Sequence, residues 1–276
     1  MGTDYVHGYT AAETRRLTDQ ARTLADLLHA GTQYEAGARV LDVGCGVGAQ
    51  TVRLVTGSPG IELVSVDISE DSLAQAKARV AAEAPNAQVE WHLGDLLDLP
   101  FEDGSFDHLF VCFVLEHLPE PQQALKTLRR LIRPGGTITL IEGDYGSAFF
   151  HPRSDAAQVL IDCLTDLQAL AGGDALIGRR VQPLLAAAGY ADVRAWPCTV
   201  YADETLPHLV DGFTRKTFIA MVESVRERSI AAGLRTPEQW REGIRDLERA
   251  AEPGGTFHYT FFKAVGRIPD GAEPCG

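Results

Sequence analysis

Three glycines at alternate positions follow a short apolar strand and limit what this chain can fold into. Residues 39–43 have the composition of the end of a buried parallel strand, and residues 50–55 predict the start of a helix. Between them stand Gly44, Gly46 and Gly48. Glycine lacks Cβ and tolerates positive φ, so the backbone here can turn tightly and come close to a ligand. Because the helix N-terminus beyond the turn offers unpaired N–H donors, the stretch is typical of a nucleotide-binding loop.

The loop fits two patterns. Gly44, Gly46 and Ala49 satisfy the dinucleotide spacing G-x-G-x-x-G/A. Gly48 and the preceding Asp42 extend the match to acid-x-G-x-G-x-G, which resembles the class I S-adenosylmethionine (SAM)-dependent methyltransferases. A carboxylate on this loop suits a ligand that carries an ammonium and a sulfonium, whereas it would repel a pyrophosphate. The loop alone leaves both patterns open, together with a simple tight turn.

Composition excludes several classes of protein. The chain has 276 residues, 45% of them hydrophobic, so it can bury a full core as one enlarged domain or two. A net charge of −13 without a long basic run argues against nucleic acid as a partner. The five cysteines are odd in number and lack C-x-x-C spacing, which indicates a reducing compartment. With neither a signal peptide nor a long uncharged apolar run, we expect a cytoplasmic protein with no membrane partner.

Strands alternate with helices from residue 38 onward, which predicts an α/β fold with a parallel, doubly wound sheet. The predicted strands are 61–67, 88–93, 106–112, 137–141, 193–200 and 257–265, in addition to the strand before the glycines. Helices are predicted to begin near Thr10, Ser69, Pro121, Ser154 and Thr236. The resemblance implies a Rossmann-like sheet of seven strands, with an antiparallel seventh strand between the fifth and the sixth.

The order of these segments predicts a core interrupted by two helical insertions. Both insertions adjoin the carboxyl edge of the sheet, where open α/β sheets bind ligands, so we interpret them as covering the substrate, with the second as the helical cap. The expected organisation is 1–36 N-terminal arm and helix, 37–143 SAM-binding core, 144–190 helical insertion, 191–200 core strand, 201–255 helical cap, 256–266 core strand and 267–276 tail.

Two acids follow strands that end at the same edge. Asp67 ends the second strand, where a carboxylate can accept both ribose hydroxyls of either NAD or SAM. Asp95 follows the third strand, where the family resemblance implies a contact to the adenine amine, with Leu96 against the ring. The alternatives are a helix-dipole acid for Asp67 and an Asx turn for Asp95. The cofactor-binding residues expected for SAM are Asp42, Gly44, Cys45, Gly46, Gln50, Asp67, Ile68, Asp95, Leu96 and Phe113.

Two further segments strengthen the resemblance. Residues 115–119 (Leu-Glu-His-Leu-Pro) and 133–136 (Arg-Pro-Gly-Gly) are similar to segments of the ubiquinone and menaquinone methyltransferases. Members of that group can hold a divalent cation with an additional acid three residues before the Glu-His pair. Position 113 is Phe here, and Glu116 with His117 alone offers too few oxygen ligands, so no metal is expected.

Methyl transfer needs a group that takes up or delocalises the proton of the acceptor. The predicted catalytic residues are Glu116, just past the fourth strand, and Tyr9, in an aromatic arm that could fold over the cofactor. For Glu116 the alternative is a solvated helix residue, and for residues 144–147 it is a simple turn. The predicted substrate-binding residues are Tyr5, Asp144, Tyr145, Tyr201, Phe218 and Met221.

The apolar cap favours a bulky hydrophobic or aromatic small molecule as the acceptor. Segments 5–9, 44–51, 141–147 and 259–263 are similar to bacterial natural-product C-methyltransferases, which include enzymes acting on the indole C3 of tryptophan-containing cyclodipeptides. That resemblance implies carbon methylation, with Glu116 and aromatic rings stabilising a cationic indole. The oligomeric state is left open, and a homodimer is compatible with the sequence.

Four other functions remain open at this point. A nicotinamide oxidoreductase would place a pyrophosphate on the glycine loop, and a non-catalytic SAM-binding protein would never methylate an acceptor. A quinone or phenol methyltransferase would use the same core. A prenyl-diphosphate methyltransferase would bind phosphate with Arg179, Arg180 and Arg215.

Overall fold

Seven strands form one sheet in the order β3-β2-β1-β4-β5-β7-β6 in a computed structural model that describes residues 11–271. Strands β1 to β5 pair in parallel, and β7 is antiparallel to both of its neighbours. This arrangement confirms the predicted fold class. The strands are β1 (Arg39–Val43), β2 (Glu62–Asp67), β3 (Val89–Leu93), β4 (Phe106–Cys112), β5 (Ile132–His151), β6 (Ala191–Ala202) and β7 (Thr256–Arg267).

Helices flank the sheet and connect its strands. They are α1 (Ala11–Thr23), α2 (Ala25–Leu28), α3 (Ala49–Gly57), α4 (Glu70–Glu83), α5 (Pro121–Arg129), α6 (Asp155–Leu170), α7 (Val181–Ala187), α8 (Pro207–Leu209), α9 (Ala220–Ser224), α10 (Arg226–Ala231) and α11 (Pro237–Glu248). A π-helix (Val210–Ile219) follows α8, and 3₁₀ helices cover Leu115–His117, Ile177–Arg180 and Arg249–Ala251. None of the helices within residues 11–271 is long and apolar enough to cross a membrane.

Side-chain caps explain where several helices begin. Ser69 and Ser154 accept backbone N–H bonds from the first turns of α4 and α6, and Thr236 forms a complete capping box with Gln239 on α11. These three N-caps agree with the predicted helix starts. Thr10, the predicted cap of the first helix, lies outside the described residues.

Strand β5 is much longer than the predicted segment 137–141. Its first part includes residues 133–136, predicted as a turn, next to a register shift against β4. Its last ten residues continue past the parallel sheet and pair only with β7, with a second register shift between Asp144 and Phe149. Glycine and serine interrupt the apolar alternation there, so the sequence carries no strand pattern, while the ladder to the apolar β7 holds the backbone extended.

A buried lysine joins the N-terminal segment to the sheet. Lys263 on β7 is 1% exposed, and its ammonium donates to the carbonyls of Leu28 (3.0 Å) and Ala30 (2.8 Å) and to the hydroxyl of Thr32. Burial lowers the pKa of this ammonium. The bonds satisfy carbonyls at the C-terminus of α2 and just beyond it, so this segment is fixed against β7.

Candidate active site

The glycine loop has the backbone that its sequence requires. Gly44, Gly46 and Gly48 have φ of 69°, 53° and 75°. A Cβ on Gly44 would stand 2.6 Å from the Val114 side chain, and a Cβ on Gly48 would stand 2.8 Å from Ala76, so both positions are sterically closed. A Cβ on Gly46 would meet nothing within 4 Å. Only the middle glycine therefore borders open space, which a ligand can occupy.

Asp42, the acid before the glycines, is buried rather than open to a ligand. It is 2% exposed, and its carboxylate accepts hydrogen bonds from the hydroxyls of Thr51 on α3 (2.6 Å) and Ser65 on β2 (3.4 Å). Burial raises its pKa to about 7 despite these bonds. Asp42 therefore links strand β1 to the helix after the loop, and its predicted cofactor role stays a prediction.

Asp67 holds the loop from the end of β2. Its carboxylate accepts the N–H of Gly46 (2.8 Å) and the N–H of Ser69 (2.9 Å). Burial raises the pKa of Asp67, and the backbone N–H bonds oppose that shift. The neighbouring Ile68 is 57% exposed, an unusual position for a large apolar side chain. This pair offers a carboxylate and an apolar surface at one edge of the sheet.

The other predicted cofactor residues have varied surroundings. Asp95 is exposed and accepts the N–H of Leu97 (2.9 Å), so the Asx turn is present and leaves its second carboxylate oxygen for other partners. Leu96 is partly buried against the core. Gln50 forms a 2.6 Å hydrogen bond with His29, and Cys45 is a buried thiol whose pKa is raised by burial.

A buried carboxyl shapes the turn after β4. Glu142 at 0% exposure accepts the N–H groups of Val114 (3.1 Å) and Leu115 (2.7 Å) through Oε1. Burial, and next the charge of Glu116, hold the pKa of Glu142 well above its usual range. Phe113 at the start of this turn has φ of 58°, a conformation that non-glycine residues rarely adopt. The turn is therefore strained at one residue and held in place by another.

The predicted catalytic residue Glu116 lies on this turn. It is 6% exposed, and its carboxylate lies 3.4 Å from the Gln168 amide nitrogen and 3.5 Å from His117 Nε2. The same Gln168 nitrogen donates to the Glu116 backbone carbonyl at 2.9 Å. Burial lowers the pKa of His117, so this imidazole is neutral at pH 7. Glu116 is thus a buried carboxylate with weak hydrogen bonds, able to accept a proton.

Glu116 lines a narrow, mostly aromatic cavity between α1, the sheet and the cap. Its walls are Gln20, Phe113, Glu116, Gly143, Tyr145, Phe213, Thr217, Phe218, Met221, Tyr259 and Phe261. The cavity volume is about 20 Å³, which is room for about one water molecule. A molecule with an aromatic ring is too large for this cavity as the lining side chains stand.

The structure brings some of the predicted substrate residues together in this cavity and not others. Tyr145, Phe218 and Met221 line it, and the Tyr145 hydroxyl lies 3.0 Å from Met221 Sδ. Asp144 is buried in a two-point ion pair with Arg179, both bonds at 2.7 Å. Tyr201 is 49% exposed on the edge strand β6 and does not line the cavity. Tyr5 and Tyr9 lie outside the described residues.

Several lining residues are absent from the predicted set. They are Gln20, Gly143, Phe213, Thr217, Tyr259 and Phe261. Tyr259 and Phe261 alternate along β7, which indicates one shared face but not that a cavity adjoins it. Gln20 carried no sequence signal, because a glutamine on an amphipathic helix ordinarily faces solvent. Within residues 11–271, no group of three or more His, Cys, Asp and Glu side chains is arranged to hold a metal ion.

Comparison with known proteins shows which domain the central residues form. Residues 41–140 match the family model of a methyltransferase domain. The chain is 32% identical over 219 residues to an uncharacterized 37.1 kDa protein in transposon TN4556 of Streptomyces fradiae, covering 78% of this chain and 59% of that protein. It is 31% identical over 144 residues to the 27-O-demethylrifamycin SV methyltransferase of Amycolatopsis mediterranei, covering 52% of each. The chain thus spans between half and three-fifths of these relatives.

A solved structure extends the likeness over most of the fold. A putative methyltransferase from Bacillus halodurans superposes with a TM-score of 0.55 at 20% identity, covering 89% of this chain and 98% of that one. Residues 41–140 are thus a methyltransferase domain, and the chain is similar to quinone and natural-product methyltransferases. These matches confirm the resemblance to SAM-dependent methyltransferases that the sequence motifs indicate.

The residues at the carboxyl edge fit SAM. Gly46 leaves open space at the loop, and Asp67 presents a partly buried carboxylate beside it. Ile68 adds an exposed apolar surface, and the second oxygen of Asp95 is not used by its own Asx turn. A carboxylate for ribose hydroxyls and an apolar contact for adenine are the groups that an adenosyl moiety requires.

Alanine substitutions in the glycine loop should separate binding from folding. We expect Gly46→Ala to fold with a loss of about 1–2 kcal/mol, from positive φ alone, and to weaken SAM binding at least tenfold. Gly48→Ala meets Ala76 and should lose clearly more stability. Urea unfolding and calorimetric SAM titration measure both effects. Unchanged SAM affinity in Gly46→Ala would show that the open side of the loop does not face the cofactor.

Stability should depend on pH through Asp42. The unfolded carboxyl loses its proton near pH 4 and the native one near pH 7, so the native state binds more protons between these values. The free energy of unfolding therefore falls as pH rises through this window, by up to about 1.4 kcal/mol per unit. Asp42→Asn should remove that contribution in urea unfolding at pH 4.5, 6 and 8. The exposed Asp71→Asn is the control, and equal slopes in wild type and Asp42→Asn would contradict the assignment.

Proposed function

We propose that this protein transfers a methyl group from SAM to a small hydrophobic or aromatic molecule in natural-product metabolism. The observation that carries the proposal is the aromatic cavity with the buried carboxylate Glu116, next to the cofactor loop. Phe113 belongs both to this cavity and to the predicted cofactor set, and Gly44 of the loop packs on Val114 of the same turn. A methyl donor on the loop and an acceptor in the cavity would therefore meet at this turn.

The proposed cofactor contacts follow from the residues at the edge. Asp67 would bind the ribose hydroxyls, Ile68 and Leu96 would pack on the adenine, and Asp95 would accept its amino group. Asp42 would stabilise the positive charge of the cofactor from beneath the loop. When bound, SAM supplies a sulfonium methyl group that is already a strong electrophile. The protein has to orient the acceptor, exclude water and take up a proton.

The finer proposal is carbon methylation, with the indole C3 of a tryptophan-containing cyclodipeptide as the best acceptor. A bond forms between C3 and the methyl carbon as the bond from that carbon to sulfur breaks, and the indole becomes cationic. The rings of Phe113, Phe213 and Tyr259 line the cavity and can stabilise such a cation through their faces. Glu116 opposes the charge and can then accept the indole N–H proton, which leaves a neutral product.

A quinone or phenol acceptor is the second candidate, because Glu116 could equally deprotonate a hydroxyl. A diphosphate acceptor has less support, since each proposed arginine is already occupied. Arg179 pairs with Asp144, Arg180 pairs with Asp174 at 2.6 Å, and Arg215 donates to Ala251 and Glu252. None of the three lines the cavity.

The proposed location and organisation rest on further observations. The cysteines within residues 11–271 are free thiols, which supports the proposal that the protein is located in the reducing cytoplasm. The π-helix contributes Phe213, Thr217 and Phe218 to the cavity, which supports the proposal that residues 201–255 form a substrate cap. Oligomeric state is a separate question for light scattering.

A methyl-donor assay tests the function. Purified protein with SAM is offered indoles, cyclodipeptides, quinones, phenols and prenyl diphosphates, and S-adenosylhomocysteine release is followed. We expect the highest kcat/KM with a tryptophan-containing cyclodipeptide. Thermal shift titrations should show stabilisation by SAM and none by NADH. SAM binding without turnover of any acceptor would support a non-catalytic SAM-binding protein instead.

Replacing the candidate catalytic carboxylate should slow the reaction. Glu116→Gln keeps the size of the side chain and removes its ability to accept a proton, so we expect kcat on the best acceptor to fall by about 10²–10⁴. SAM affinity should stay within about twofold. Exposed Glu120, four residues further along, provides the control Glu120→Gln. An unchanged rate in Glu116→Gln would show that another group takes the proton.

A further inference from the structure

One polar side chain of the cavity, Gln20, has no part in the methyl-transfer reaction proposed above. Gln20 on α1 is 7% exposed and contributes to the cavity wall. Its Oε1 accepts a 2.9 Å hydrogen bond from Arg16 Nη1. Arg16 is itself 7% exposed and held by Glu13 through bonds of 2.8 and 2.6 Å. A buried ion pair therefore stands directly behind this amide.

The hydrogen bond from Arg16 determines which atom of the Gln20 side-chain amide is left for other partners. Arginine carries only hydrogen-bond donors, so the atom of Gln20 that faces Arg16 has to be the oxygen. The amide nitrogen is thereby left with two N–H donors. No residue among 11–271 accepts a hydrogen bond from this nitrogen. These donors therefore remain available to an acceptor atom that a bound molecule supplies.

The other polar groups of the cavity are engaged differently. The Thr217 hydroxyl donates to the carbonyl of Gly212 at 2.7 Å, and the Tyr145 hydroxyl donates to Met221 Sδ. The Glu116 carboxylate can only accept. Gln20 is thus the lining side chain whose hydrogen-bond donors are oriented by a buried ion pair and are not used within the described residues.

We propose that Gln20 is a specificity residue whose amide nitrogen donates to a carbonyl oxygen of the methyl acceptor. The inference rests on the proposed function, because it takes this cavity as the acceptor site. It narrows the substrate class to aromatic molecules that carry a carbonyl group, such as a lactam, next to the ring that is methylated. A simple indole would fill the aromatic part and leave Gln20 without a partner.

Direct binding tests the proposal without depending on turnover. The full chain, saturated with S-adenosylhomocysteine, is titrated calorimetrically with cyclo(L-Trp-L-Trp) and with 3-methylindole, which has no carbonyl group. Gln20→Leu should weaken binding of the cyclodipeptide about tenfold, the loss of one hydrogen bond, and change 3-methylindole binding by less than about twofold. Gln20→Glu keeps the contact with Arg16 but removes the hydrogen-bond donors. It should weaken binding of the cyclodipeptide at least as much. Gln158→Leu, at an exposed position on α6, is the matched control.

Each outcome decides the matter. The assignment of a carbonyl contact is overturned if the Gln20 variants bind both ligands equally more weakly. It is also overturned if neither variant binds the cyclodipeptide more weakly than wild type. Failure of wild-type protein to bind the cyclodipeptide overturns it as well. A separate SAM titration of the same preparations then distinguishes this failure from that of the proposed function, because SAM binding with a normal affinity leaves SAM-dependent methyl transfer in place.

Discussion

The candidate site depends on one buried carboxyl group on the central sheet. Glu142 accepts two backbone N–H groups from the turn after β4, and this turn carries both Phe113 and Glu116. Without that acceptor, two amides would be buried unpaired next to Phe113, whose own N–H donates to the carbonyl of Ile141 at 2.9 Å. The raised pKa of Glu142 follows from the same burial. The residues that would meet the methyl group are therefore positioned by backbone hydrogen bonds to a residue that does not line the cavity.

The central strands could be predicted closely because buried parallel strands are continuous apolar runs. Strands β1 and β4 have the predicted bounds, and the helix starts at Ser69, Ser154 and Thr236 follow from local side-chain caps. The extension of β5 could not be predicted, because its backbone is held by pairing with a strand more than a hundred residues later. The π-helix packs closely on α1, since Gly212 lies against Thr23 with no room for a Cβ, and no local sequence pattern predicts that contact.

Some residues of the candidate site stand in short sequence motifs, whereas others are brought to it only by tertiary packing. The glycine loop, Asp67 and Glu116 stand in short motifs whose chemistry can be interpreted residue by residue. Gln20, Arg16 and Glu13 form a polar stripe on one face of α1, a pattern that ordinarily indicates a solvated surface. They are buried because the cap and the turn after β4 cover that face. Sequence periodicity shows which residues share a face, but only the tertiary structure shows what covers it.

The position of β7 determines how much of the sheet can form while the chain is still being synthesised. It lies between β5 and β6 in the sheet, yet it is translated after both. As the chain leaves the ribosome, β5 and β6 have open edges until about residue 267 emerges, and the aromatic wall of Tyr259 and Phe261 is still missing. Lys263 arrives with the same strand to secure the N-terminal helices. Synthesis from the N-terminus therefore completes β1 to β4 early, whereas closure of the aromatic cavity and docking of α1 and α2 wait for the late strand β7.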